Sequence, residues 1–322
     1  MAVNRAASAD ASPPPLTPDL FEPARMTAGE AEAIVRPSLT FWQDAWVRFR
    51  ANKLAMLGLV LLILMTAAAL LGPVISYHVH GHTFDYQDYA SINQPPSAKF
   101  WFGTDQIGRD LFTRVWMGGR ISLFIGIVAA LLELVIGVLY GGIAGYLGGR
   151  VDEIMMRIVD VLYGIPYLLL VILLLVVMQP GLPTIILAMG ITGWVGMARL
   201  VRGQILQLRE MEFVLAARVL GVPTLQLILR HLIPNVMGPI IVSLTLTVPG
   251  AIFGEAFLSF IGLGVPPPMA SWGTLINEAY TVMRIRPWQF AFPALALSIT
   301  MFAFNAVGDG LRDALDPRLR AR

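Results

Sequence analysis

An all-α fold, a polytopic membrane bundle of six transmembrane helices, is what this sequence predicts, and three observations carry it. Charged residues make up only 14% of the 322-residue chain and hydrophobic ones 56%, whereas a soluble domain carries about 25% charge. The apolar residues gather into long uninterrupted runs, each near the roughly 20 residues that a helix needs to cross a hydrocarbon core. The basic residues, finally, collect on one side of those runs.

The spans are expected at Leu54–Ile75, Ile121–Leu147, Val161–Met178, Leu182–Ala198, Val236–Gly262 and Trp288–Val307. The second contains Glu133. The fifth is uncharged from Val236 to Gly254 and then meets Glu255. A very short turn, Gln179-Pro180-Gly181, joins the third to the fourth. Within this frame the chain divides into a disordered tail (1–40), an interfacial helix (41–53), a first span (54–76) and an external loop (77–120). A five-helix core (121–311) follows, with a cytoplasmic loop at 199–235 and an external loop at 264–287, and 312–322 form a second tail.

The first tail is rich in Ala and Pro and has no apolar period, so it cannot bury a core; no apolar segment follows its first charges, so it does not read as a signal peptide. In the interfacial helix Phe41, Trp42, Ala45, Trp46 and Phe49 recur at helical spacing opposite Asp44, Arg48 and Arg50, which suits a helix lying on the membrane surface. There is no cysteine, so disulfides and thiolate metal sites are excluded.

Orientation follows from the basic residues near the span ends. With the N-terminus inside, fourteen lie on the cytoplasmic side, among them Arg150, Arg199, Arg202, Arg209, Arg218, Arg230 and Arg312. Six lie outside: Lys99, Arg109, Arg114, Arg120, Arg284 and Arg286. Both termini are therefore expected in the cytoplasm.

The loop Arg199–Asn235 is more than a linker. Ile205, Leu208, Leu215 and Val219 fall on one helical face. Gly221 can take the left-handed conformation that ends a helix, and Pro223 suits the first turn of the next. The second helix is expected to run to about Leu232, where Pro234 stops it. The result is a helix–glycine–helix elbow, either a surface loop on the headgroups or a docking element in which Ala216 and Ala217 let another backbone approach.

Four stretches now carry a resemblance. Phe213-Val214-Leu215-Ala216-Ala217-Arg218-Val219-Leu220-Gly221, with Arg230-His231-Leu232-Ile233-Pro234-Asn235 after it, resembles the "EAA" loop of ABC importer permeases. Phe102–Asp110, Phe257–Pro268 and Gly308–Pro317 resemble the dipeptide/oligopeptide branch, specifically its C-type permease subunit. The match covers about residues 40–320. It implies the type I ABC importer permease fold in the bacterial inner membrane. It also implies work with a second homologous permease, two ATP-binding subunits and an extracytoplasmic substrate-binding protein. The cargo implied is peptide, with nickel chelates, glutathione or sugars as alternatives within the family. ATP and Mg would bind the partners, so the chain itself needs no cofactor; nothing points to nucleic acid. By the same resemblance Glu212, Leu215, Ala216, Ala217, Arg218, Gly221, Arg230 and Pro234 form the coupling element that enters a groove on an ATPase subunit. Leu215 stands where the family motif usually has glutamate, and Glu212, one turn earlier, is a stand-in.

Other features have structural and functional readings side by side. Gly137, Gly141, Gly145 and Gly149 repeat every four residues and let helices pack closely, within the chain or at the seam with a partner. Glu255, with Ser259, is expected to line a translocation path, and Glu133 to be a packed or protonated group. His78, His80 and His82 alternate beside Asp85 and Asp88; extended, they would share a face and could hold a metal. Trp101, Phe102 and Trp116 suit an external aromatic belt.

A stand-alone secondary transporter would need internal repeats and broken helices meeting at the midplane, and the sequence displays neither. No His-Glu-x-x-His, Gly-x-Ser-x-Gly or P-loop pattern occurs, so the chain reads as a transport subunit without an ATPase site of its own.

Overall fold

The computed structural model describes residues 40–315; the expected tail at 1–40 lies outside them but for Thr40, whereas the expected tail at 312–322 is corrected at its start, where 312–315 are the last turn of a helix. The chain divides after Gln43, and the unit that begins at Asp44 carries the helical bundle. All described regular structure is helical.

Helix α1 (Phe41–Ala51) ends at Asn52, whose side chain accepts from the amides of Leu54 and Ala55 and so caps α2 (Lys53–His80). An irregular segment with one 3₁₀ turn (Tyr89–Ser91) leads to α3 (Leu111–Leu147), capped by Asp110. Then come α4 (Gly149–Gly164) and α5 (Tyr167–Met178), α6 (Leu182–Thr192) and α7 (Trp194–Leu208). The elbow holds α8 (Glu212–Val219) and α9 (Thr224–Leu227). After a π turn (Ile228–Leu232) and a 3₁₀ turn (Ile233–Val236), α10 (Met237–Phe260) crosses back. Helices α11 (Trp272–Tyr280) and α12 (Pro287–Leu315) complete the unit.

Among the described residues five helical segments are long and apolar enough to span, Lys53–His80, Leu111–Leu147, Leu182–Leu208, Thr224–Phe260 and Pro287–Leu315, and the pair α4/α5 makes a sixth if it counts as one span. The structure corrects the third expected span, Val161–Met178. Pro166 forces Ile165 into extended backbone because its ring disfavours a helical predecessor. The chain therefore bends by 82° between α4 and α5, and α5 alone, about 18 Å long, is too short to cross.

Two boundaries move for a related reason. The second span starts at Leu111, not Ile121, so Arg114 and Arg120 belong to a helix and not to a loop. The fourth continues through Arg199 and Arg202 to Leu208. A helix does not stop where apolar residues stop; it stops where backbone bonding or a cap stops it.

Helix α3 is the organising element and packs on α2, α7, α10 and α11. Its glycine stripe allows the closest approach. A Cβ on Gly137 would meet Met197, one on Gly141 the Ala198 carbonyl, and one on Gly145 the Arg202 carbonyl, all on α7. Gly149 does not belong to the stripe: it opens α4 with φ +53°, and a Cβ there meets nothing. At the end of α3 where it begins, Trp272 fills the core between Val115, Ile252 and Leu275 and donates its indole N–H to the Val115 carbonyl at 2.9 Å. At the other end Val138, Met197, Ile205, Val214, Leu227 and Leu232 form the cluster that seats the elbow.

Candidate functional site

The elbow is built from the arginines that anchor its base. Arg202 makes a two-pronged ion pair with Asp152 of α4, at 2.5 and 2.6 Å, and Arg199 pairs with Asp160 at 2.8 Å. Arg209 reaches back to the Gly145 carbonyl at 3.4 Å and to Glu210 at 2.9 Å. These contacts hold the end of α7 against α3 and α4 where the chain leaves the bundle.

Helix α8 then presents two faces. Val214 and Ala217 are buried against α3 and α7. Phe213 and Leu215 point outward, as do Val219 and Leu220, at 88% and 82% exposure. Gly221 has φ +77°. Its amide donates to the Arg218 carbonyl at 3.0 Å and that of Val222 to the Ala217 carbonyl at 3.1 Å, the paired bonds of a Schellman stop. Arg218 lies over the Tyr146 ring, 5.5 Å from its centre.

The expected docking residues divide accordingly. Glu212, Leu215, Ala216, Arg218, Gly221, Arg230 and Pro234 are exposed. Ala217 faces its own bundle, so it does not admit another backbone. The expected apolar face is corrected too: Ile205 packs in the core, while Leu215 and Val219 face outward. Pro234 does not stop the second helix. The π turn through Arg230 and His231 passes the chain around it, and the helical segment continues to Phe260. An extra residue in the turn accommodates a proline that has no N–H to donate.

The two carboxylates within the spans have different surroundings. Glu255, at 0% exposure, accepts from Ser122 at 3.0 Å and Ser259 at 2.6 Å. Ser271 donates to Ser259 at 3.2 Å, and the Trp272 amide to Ser122 at 3.2 Å. This closed network ties α3, α10 and the start of α11 together, so Glu255 and Ser259 are corrected from path-lining residues to internal ties. Glu133 faces a cavity of about 460 Å³ whose walls include Tyr167, Thr192, Gly193, Thr247 and Gly254.

Near the start of α3 lies an ion-pair cluster that the sequence does not announce. Arg114, 1% exposed, bonds Asp105 at 2.7 Å and Glu278 at 2.6 Å; Arg109 bonds Asp105 at 2.6 Å and Glu278 at 3.3 Å. It clamps the Phe102–Asp110 stretch to α11. The available signal is a pair of arginines in and just after that stretch, but their partner Glu278 is 164 residues away from Arg114.

Among the described residues the histidines do not form a metal cluster. His78 and His80 lie in the last turns of α2, where alternate residues diverge around the helix. His82 stacks between Tyr86 and Phe100, with ring centres 5.7 and 5.1 Å away.

The family described as binding-protein-dependent transport system inner membrane component matches residues 137–321, and the N-terminal transmembrane domain of oligopeptide transport permease C matches 40–96. The oligopeptide transport system permease protein OppC of Bacillus subtilis is 55% identical over 94% of this chain and 98% of its own length. The dipeptide transport system permease protein DppC of the same organism is 56% identical over 90% of each chain. In fold, a chain of the inward-facing MetNI methionine ABC transporter superposes with a TM-score of 0.50 at 17% identity, over 61% of this chain and 94% of that one.

Proposed function

The chain belongs to the inner membrane components of binding-protein-dependent transport systems, in their oligopeptide permease C branch, and from that premise we propose that the elbow Glu212–Leu232 is where it meets an ATP-hydrolysing partner. The chain is a multi-pass permease subunit of a peptide ABC importer. The observation that supports the elbow's role is its outward apolar face. Phe213, Leu215, Val219, Leu220 and Leu225 stay exposed on a short, rigidly stopped helix pair, and such a patch on an otherwise charged surface marks an interaction site. Glu212, Arg218 and Arg230 rim it and set the register of the contact. The partners of this reading are two ATP-binding subunits, a second permease and a binding protein on the opposite side. ATP and Mg bind the ATPase pair, and the N- and C-termini are cytoplasmic.

Ala216→Cys provides the test, because the chain has no native cysteine. In the assembled transporter this thiol should cross-link to a cysteine in the ATPase groove, with a yield that ATP changes. Gly221→Val, disfavoured by about 1–2 kcal/mol in left-handed backbone, should misaim α9 and weaken ATPase association at normal membrane levels. The chain purified without its partners should hydrolyse no ATP. Unchanged transport by Gly221→Val together with no cross-link would mean that coupling lies elsewhere.

A further inference from the structure

Glu133 lies fourteen residues before the end of α3, about 21 Å along the helix and so near the middle of a bilayer. Glu255 is enclosed by serine hydroxyls, whereas Glu133 has one hydroxyl partner, Thr247, and opens onto the 460 Å³ cavity. Among the described residues no arginine or lysine lines that cavity. The wall is shaped around the carboxyl group nevertheless. A Cβ on Gly193 would come within 2.9 Å of the Glu133 carboxyl carbon and 2.8 Å of the Met189 carbonyl, so a side chain there would push the carboxyl group from its place.

Two further polar groups share the space. The Tyr167 hydroxyl, from α5, is buried and has no hydrogen-bond partner, and the Thr247 side chain comes from α10. Thr247 also lines a second cavity of about 540 Å³ that continues along α10 past Ser243 and Val242 to Arg312. A carboxylate at membrane depth is costly, and it is kept where a cavity or a partner charge serves it. The complementary group for this cavity is a cation. The groove presents a carboxylate at one cavity and a guanidinium at the next, and a peptide carries the opposite charges at its two ends.

We propose that the Glu133 cavity receives the α-ammonium group of a peptide in transit, which donates to the Glu133 carboxylate and to the oxygens of Tyr167 and Thr247. This rests on the reading of the chain as a peptide permease and assigns a binding site within it. Glu133 supplies the charge, Gly193 the room for it, and Tyr167 and Thr247 the remaining acceptors of a three-donor ammonium.

The test uses the complete transporter, with both permeases, the ATPase pair and the binding protein, in proteoliposomes. The probe is a tripeptide with a free amino group and a photoactivatable diazirine leucine at residue one; a second has the diazirine at residue three. Illumination during turnover should label Glu133 or its cavity neighbours with the first probe more than with the second. Glu133→Gln should lower uptake by at least about tenfold, the worth of one charge-assisted hydrogen bond, and Glu133→Asp should restore part of it. Gly193→Ala, which crowds the carboxylate, should reproduce the loss. Uptake by Glu133→Gln within about twofold of wild type, or labelling confined to other segments, would overturn the proposal. So would failure of both Glu133→Gln and Glu133→Asp to assemble with the second permease, which would make the cavity part of a subunit seam. Wild-type vesicles that take up neither probe with ATP would overturn the permease reading instead.

Discussion

At the scale of single residues, burial decides roles that side-chain chemistry alone leaves open. His82 is the clearest case. Stacked between Tyr86 and Phe100, it is held below its ordinary pKa of 6.5, chiefly because burial disfavours the imidazolium. The unfolded segment therefore takes up a proton at a higher pH than the folded one. Stability is unaffected well above pH 6.5 and falls as the pH drops through that value. We expect the segment between α2 and α3 to be cut faster by protease at about pH 5.5 than at about pH 7.5, and His82→Phe to flatten that dependence. An equal pH response in His82→Phe would assign the effect to another group. Burial likewise separates Glu133 from Glu255. The sequence places both in spans, yet neither position reveals that Ser122, Ser259 and Ser271 converge on one and a cavity on the other. Those serines come from three elements, and no local pattern announces their meeting.

Elements are legible in the sequence wherever the signal is local. Gly221 and Pro223 punctuate the elbow as their backbone preferences require, and the run of apolar residues locates five of the spans. The exceptions are positions where a proline meets tertiary packing. Pro166 breaks a run whose hydropathy is continuous, whereas Pro234 fails to break one because a π turn absorbs it. The sequence reads a continuous run through Pro166 and a stop at Pro234, and the structure reverses both. The glycine stripe allows a sharper test at this scale. At Gly141 a Cβ would collide with backbone of α7, which cannot rotate away, whereas at Gly149 it enters open space on left-handed backbone. Gly141→Ala should cost about 3 kcal/mol by overpacking and Gly149→Ala about 1 kcal/mol by strain. Thermal unfolding of the detergent-solubilised chain compares them. Equal losses would mean that α3 and α7 can separate freely, contrary to their fitted contact.

For the whole molecule, the arginine bias and the fold together define a topology that reporters can check. Fusions after Gly149 and after Gln207 should read cytoplasmic, and those after Asn93 or Pro268 external. A cytoplasmic signal from the Asn93 fusion would reverse the orientation and remove the elbow from the side where ATP is found. The ion-pair clamp of Arg114, Asp105 and Glu278 then faces outward, and the anchors Arg199, Arg202 and Arg209 face inward, so each end of α3 is braced by charge. Between those braces the helical segment Thr224–Phe260 runs for 37 residues, through the π and 3₁₀ turns, from the elbow to the wall of the Glu133 cavity. A rod of that kind is a lever. From Leu227 to Gly254 it measures about 40 Å, so a tilt of about 5° imposed at the elbow sweeps Gly254 sideways by about 3.5 Å, more than the radius of a water molecule. The π turn at Ile228–Leu232 is the compliant joint in the shaft, and its stiffness sets how much of any push reaches the far end.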